Sequence, residues 1–180
     1  MILGFSTQLN GKPTHFVEKI TIGLYRHGLI TLDKASELLN MPMSAIDKSE
    51  VKVKIHTIRE DKNDRWKAGM NIDFFINVRK KNMFRFAPVL PVVSTQEVFM
   101  TKRGNEIEIT VSKVGSYVGD DDFYLYHNAK VELALNDGFD SLEEFNTYFA
   151  ERINENYTQT GNSWFTGKII HWTDKDIKYG

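Results

Sequence analysis

The hydrophobic pattern of this 180-residue chain changes period near residue 50, and that switch constrains the fold more than any motif. Between Pro13 and His27, Phe16, Val17, Ile20 and Leu24 recur at the spacing of one helix face. Gly28 stands where such a helix ends. Leu32, Ala35, Leu38 and Leu39 form a second stripe, with Thr31 placed to cap it and Pro42 beyond its end. Ser44 with Asp47 predicts one more short turn of helix. From Val51 the pattern alternates: in "VKVKIHTI", Val51, Val53 and Ile55 share one face and Lys52, Lys54 and His56 the other. "NIDFFINVRKKNMFRFAPVLPVV" reads as two strands across a tight Lys80-Lys81-Asn82 turn. Residues 95–100, 106–111 and 123–135 are further strand candidates, the first two joined by the hairpin turn "KRGN". "SKVGSYVGDDD" is a loop. Residues 2–8 read as a strand, followed by an "NGKP" turn with Pro13 in a first helical position. Helical spacing returns in "NDGFDSLEEFNTYFAERI", where Ser141 and Glu144 form a capping box ahead of Leu142, Phe145, Phe149 and Ile153. A last strand is expected around Lys168 to Trp172. Many short strands with a few helices predict an α+β fold: a mixed or closed sheet decorated by helices.

Several classes drop out on composition. With no cysteine there is no disulfide framework, thiolate nucleophile or cysteine-based zinc site. "MILGFSTQLNGK" lacks the basic and apolar regions of a signal peptide, and no apolar run approaches the roughly 20 residues that span a bilayer. A cytoplasmic protein without membrane contact is expected. The net charge of −1 hides an uneven distribution. Residues 52–85 hold ten Lys/Arg and four Asp/Glu, whereas residues 104–156 hold three and twelve. Either the basic segment faces a polyanion, or the two segments pack together and neutralise each other.

The five histidines, His15, His27, His56, His127 and His171, show no metal-ligand spacing, so neither metal nor cofactor is expected. Walker, GxGxxG and GxSxG fingerprints are absent. "GLITLDKASELLNMPMSAI" has the outline of a helix-turn-helix, but its reader helix, "MSAIDKSE", offers one lysine and two acids where base-reading side chains belong. A helical insertion that only packs fits it better. The stretch "KIHTIRED" holds Lys54, Thr57 and Arg59 as K-x-x-T-x-R. A lysine whose pKa is lowered can serve as a base, and a threonine beside a base can serve as a nucleophile. Strict alternation sends Lys54 and Thr57 to opposite faces, so a shared site requires the backbone to bend between them. By spacing alone, a solvated sheet edge explains the stretch better.

In sequence order, "KIHTIRED", "RWKAGMNIDFF", "NDGFDSLEEF" and "GKIIHW" together resemble the ASCH domain of the PUA-like superfamily, over most of residues 1–20 and 51–174. The resemblance implies one domain over residues 1–180, a PUA-like β-barrel with a mixed, largely antiparallel sheet surrounded by helices, and a helical insertion at about 22–50. It also implies a cleft beside the K-x-x-T segment that binds RNA or a nucleobase-containing ligand. A small bacterial member of the family hydrolyses N4-acetylcytidine with a lysine, a threonine and a glutamate. Carried over, these fall on Lys54 as activator, Thr57 as nucleophile and Asp137 as orienting carboxylate. Arg59 and His56 would line the ligand site, and Trp66 or Trp172 would stack on a base.

Two positions depart from the family pattern: Lys52 stands where a glycine is common, and Asp137 is shorter than the glutamate it replaces. Binding of RNA or a modified nucleoside is therefore the first expectation, with amidohydrolysis of acylated nucleosides the alternative. A third is an interaction module that docks a protein partner through residues 24–48.

Overall fold

A computed structural model of the chain describes residues 1–114, 117, 119, 122–173 and 179. Two sheets share its core. In one, β1 (Ile2–Phe5) runs parallel to β5 (Asn71–Ile76), with Ile2 opposite Asp73 and Phe5 opposite Ile76. The short strands β6 (Phe84–Arg85) and β7 (Leu90–Pro91) pair with β5 antiparallel. A separate hairpin joins β2 (Gln8–Leu9) to β3 (Lys12–Pro13). The second sheet is antiparallel throughout, in the order β10 (Phe123–Tyr124), β9 (Glu106–Val111), β8 (Ser94–Arg103), β11 (Trp164–His171), β4 (His56–Arg59). The fold is thus α+β, with one mixed and one antiparallel sheet and five helices among the described residues.

Alternation along β11 divides the interior. Ile169 belongs to a core with Ile58, Met100, Phe145 and Phe149. Ile170, the next residue, belongs to a second core with Phe5, Phe74, Phe86 and Trp172. Successive side chains of a strand point to opposite faces, so a strand buried on both sides feeds two cores. The register places Thr57 opposite Ile170 and Ile58 opposite Ile169, so β4 is divided in the same way.

The helices follow their apolar stripes. α1 (Phe16–Arg26) buries Phe16, Ile20 and Leu24 in the second core, and Gly28 follows its end with φ 68°. α2 (Leu32–Leu39) is capped by Thr31, whose hydroxyl accepts from Lys34 N at 3.2 Å. With α3 (Met43–Asp47), it packs Ala35 and Ile46 against Ile22 of α1. α5 (Leu142–Thr160) begins at Ser141, which accepts from Glu144 N at 3.1 Å, and the Glu144 carboxylate accepts from Asp140 N at 2.9 Å.

Three expectations are corrected. Pro13 lies in β3, and α1 starts three residues later, behind His15 in the left-handed region (φ 53°). Residues 2–8 are not one strand: β1 ends at Phe5, and Gln8 opens β2. Residues 123–135 are strand only at Phe123–Tyr124; the rest opens α4 (His127–Asn136), which buries Lys130, Leu133 and Ala134. The alternation of Val131, Leu133 and Leu135 is short, and the alanines, leucines, glutamate and lysine around it are strong helix formers. Residues 115, 116, 118, 120 and 121 of the "SKVGSYVGDDD" loop lie outside the described residues. No described helix is long and apolar enough to cross a membrane.

Candidate functional site

The alternating run that precedes β4 is not a strand. Residues 51–55 cross α1 and make their backbone bonds to other partners: Lys54 N donates to Lys19 O at 3.2 Å and Ile55 N to Asn136 O at 2.9 Å. Gly23 permits the crossing, because a Cβ there would lie 3.1 Å from Lys54 O and 3.3 Å from Val53 Cβ. Released from strand alternation, Lys54 turns its amine to within 4.8 Å of the Phe16 ring and 6.0 Å of the Phe5 ring. That is the side of the sheet that Thr57 and Arg59 face, since Arg59 also lies over Phe5, at 5.3 Å. The reading of the stretch as a solvated sheet edge fails: Lys54 is 1% exposed and His56 0%.

The partner of Lys54 is Asp137, the C-cap residue of α4. Lys54 Nζ donates to the Asp137 carboxylate at 2.8 Å and also to its backbone carbonyl. The same Oδ1 accepts from Ile58 N at 3.0 Å, so the carboxylate covers a backbone donor on the free edge of β4. Gly138 (φ 89°) makes this turn and must be small: a Cβ there would meet Lys54 Cδ at 2.9 Å and Phe16 Cε1 at 3.0 Å. Burial pulls the Lys54 ammonium down to about 8, against the attraction of Asp137. Burial pushes Asp137 the other way, but Lys54 and His56 together hold its carboxyl below the usual range. Lys19 supports the turn from outside, donating to Gly138 O at 2.8 Å and to the Asp140 carboxylate at 2.7 Å.

His56 extends this cluster. Its Nδ1 lies 3.6 Å from Asp137 Oδ1 and its Nε2 lies 2.7 Å from the Tyr179 hydroxyl, which also accepts from Asn136 Nδ2 at 2.8 Å. Opposite His56 in the register stands His171, 0% exposed, with neither ring nitrogen hydrogen-bonded among the described residues. Burial and the neighbouring His56 depress His171 to about 3, so it is neutral at ordinary pH. His171, Tyr179 and Gln96 were not legible as a group. Gln96 pairs with both backbone polar groups of Tyr179, at 3.1 and 2.8 Å, across 83 residues.

The structure brings Lys54, Asp137 and His56 together, and none of the three hydrogen-bonds the Thr57 hydroxyl. Thr57 is buried, and its hydroxyl forms no hydrogen bond among the described residues, with Lys54, Asp137 or any other group. Trp172 is 1% exposed and packs edge-on against Phe74 at 5.2 Å and Phe5 at 6.0 Å. It is a core residue and offers no face to a base. Trp66 is 5% exposed in the same core and borders two surface clefts apart from the Arg152 one. Among the described residues, no three His, Asp or Glu side chains come together as a metal site.

The open cavity beside the motif lies at its other end. It holds about 360 Å³, within the range of small-ligand clefts, and is walled by Ile58 and Arg59 of β4, by Tyr148, Phe149 and Arg152 of α5, and by Phe165 of β11. Arg152 lies 5.3 Å over the Tyr148 ring and pairs with Glu155 at 3.0 Å. Arg59 forms no ion pair among the described residues; its Nη2 donates to Gly4 O at 2.7 Å and its buried Nε has no partner. Tyr148 and Arg152 are the wall residues that sequence reading missed. Their i, i+4 spacing on the face of α5 next to its apolar stripe is the signal that marks them.

The charge asymmetry resolves mostly into local pairs. Lys62 meets Glu60, Arg65 meets Asp61, Lys67 meets Asp64 and Arg85 meets Asp73. Among the described residues, Lys54 is the one Lys or Arg of the basic segment that forms an ion pair with the acidic one. No family model, curated protein or solved structure matches the chain.

Proposed function

We propose that the two sheets form the barrel of a PUA-like ASCH domain and that the chain binds RNA or a nucleobase-containing ligand in the cleft at Arg59. The observation that carries this reading is the unpaired guanidinium at the wall of that cleft. The guanidinium has no carboxylate within 4 Å among the described residues, and a phosphate or base carbonyl in the cleft would accept a charge-assisted hydrogen bond from it. Tyr148, beside Arg152, offers an aromatic surface for a base. The test is titration of the protein with cytidine, cytidine monophosphate and a short single-stranded RNA at low salt, followed by amide chemical shifts. Shifts confined to the cleft, weakened in Arg152→Ala and Tyr148→Leu, support the reading. Absence of binding at low salt removes it.

A second reading, hydrolysis of an acylated nucleoside such as N4-acetylcytidine, draws on the Lys54–Asp137 pair. An amine lowered to about 8 and held by a carboxylate suits a proton acceptor at neutral to mildly alkaline pH. That chemistry needs ligand access to Lys54 and a closer Thr57 hydroxyl, so binding ranks above catalysis. Incubation with N4-acetylcytidine, alongside Thr57→Val, tests it; no cytidine released by the unsubstituted protein ends this reading for that substrate.

A further inference from the structure

Between β5 and β6 the chain projects a hairpin whose tip, Arg79, Lys80 and Lys81, is exposed and forms no ion pair among the described residues. Every other cation of residues 59–85 except Arg59 has a carboxylate within 4 Å. Just past the tip, Phe84 is 56% exposed, although it sits in a strand next to the ion-paired Arg85. An exposed aromatic among unneutralised cations is a poor solvation choice and a good stacking platform.

The tip is also held in shape. Lys80 N donates to Asn77 O at 3.0 Å and Met83 N to Lys80 O at 3.1 Å. Asn77 and Arg79 both occupy the left-handed region, at φ 54° and 67°. A left-handed arginine is disfavoured relative to an ordinary backbone, so this shape is maintained against local preference.

The root of the hairpin contacts Gly4, the hydrogen-bond partner of Arg59. Val78 packs on Gly4 so closely that a Cβ on Gly4 would lie 2.8 Å from Val78 Cγ2. The Gly4 carbonyl accepts from Arg59 Nη2. The root of the hairpin and the Arg59 guanidinium are therefore linked through Gly4.

We infer that this hairpin binds the backbone of single-stranded RNA, with Arg79, Lys80 and Lys81 on phosphates and Phe84 stacked on an unpaired base. This rests on the nucleobase reading of the cleft and deepens it, by making the ligand a strand rather than a free nucleoside. Duplexes are disfavoured because their bases are already stacked and leave Phe84 no partner.

The test uses the full chain and a fluorescein-labelled single-stranded RNA dodecamer, titrated over a range of salt. Three phosphate contacts predict a slope of log affinity against log salt that falls by about 2 units in Arg79→Ser/Lys80→Ser/Lys81→Ser. Phe84→Ala should weaken binding on the order of tenfold and leave the slope unchanged. All four positions are exposed, and unchanged thermal midpoints confirm that the variants fold. Cytidine binding at the cleft is measured in parallel. Hairpin-independent RNA affinity with cytidine still bound overturns the hairpin inference and spares the cleft. Hairpin-dependent RNA affinity without cytidine binding supports the inference and overturns the cleft. Equal affinity for duplex and single strand, or tighter hairpin-dependent binding to polyglutamate or to phosphatidylserine vesicles, also overturns the inference.

Discussion

Lys54 and Asp137 form an ion pair at 2.8 Å, across 83 residues of chain, with side-chain exposures of only 1% and 8%. Desolvation of two charges is expensive, so such a pair contributes less to stability than to specifying which surfaces meet. Here it joins the turn after α4 to the entry of β4, and the carboxylate simultaneously covers Ile58 N. Asp137→Ala should cost about 3–5 kcal/mol, because it strands a buried ammonium as well as a backbone donor. Lys54→Met with Asp137→Asn should recover part of that loss. Urea unfolding of the parent and the two variants measures both, and a double variant no more stable than Asp137→Ala would refute the pairing.

The buried histidines set a pH dependence. His171 has an ordinary value of 6.5 and a folded value of about 3, so the unfolded chain takes up a proton first as the pH falls. Stability present above about 6.5 is therefore lost progressively down to about 3, at up to about 1.4 kcal/mol per pH unit. His56, also depressed by burial, acts in the same direction. Thermal midpoints recorded between pH 7.5 and 4 should fall, and His171→Phe should flatten the fall. A variant with the parent's slope would assign the acid sensitivity elsewhere.

Gly167 sets the approach of β11 to β4. A Cβ there would lie 2.5 Å from the Arg59 carbonyl and 2.9 Å from the Phe165 ring. Neither neighbour is a loose side-chain end, so Gly167→Ala should cost about 1–3 kcal/mol and weaken ligand binding at the Arg59 cleft. Gly104→Ala, in the β8–β9 turn at φ 61° with nothing within 4 Å, should cost only about 1 kcal/mol and leave binding intact. Equal effects of the two substitutions on binding would refute the steric account.

Trp172 separates packing from recognition. Trp172→Phe removes a fully buried ring and should cost about 1–3 kcal/mol. Ligand affinity, measured well below the unfolding midpoint, should stay within roughly twofold. A larger loss of affinity would return Trp172 to the binding site. Acrylamide should quench Trp164, at 38% exposure, far more than Trp66 or Trp172.

Local order was legible wherever neighbours along the chain decide the outcome. The Thr31 and Ser141 caps, the apolar stripes of α1 and α5 and the turn at Gly104 depend on contacts a few residues apart. The resemblance placed Lys54, Thr57 and Asp137 in one site; the structure pairs Lys54 with Asp137, and neither hydrogen-bonds the Thr57 hydroxyl. Four placements were not legible: Tyr179 on His56, His171 beside it, and Tyr148 and Arg152 at the cleft. Each reaches its place through a strand register or helix position set elsewhere in the chain.

The alternating run "VKVKIHTI" shows where the division falls. Its sequence by itself determined that Ile55 turns inward and that Lys54 and His56 carry the polar chemistry of the segment. It could not determine that both polar side chains are buried as well, because burial depends on what covers the other face. That cover comes from α1, some thirty residues earlier, and from the Asp137–Gly138 turn, some eighty residues later. Only the tertiary structure could decide whether the lysine is a solvated edge charge or a desolvated amine held by a carboxylate.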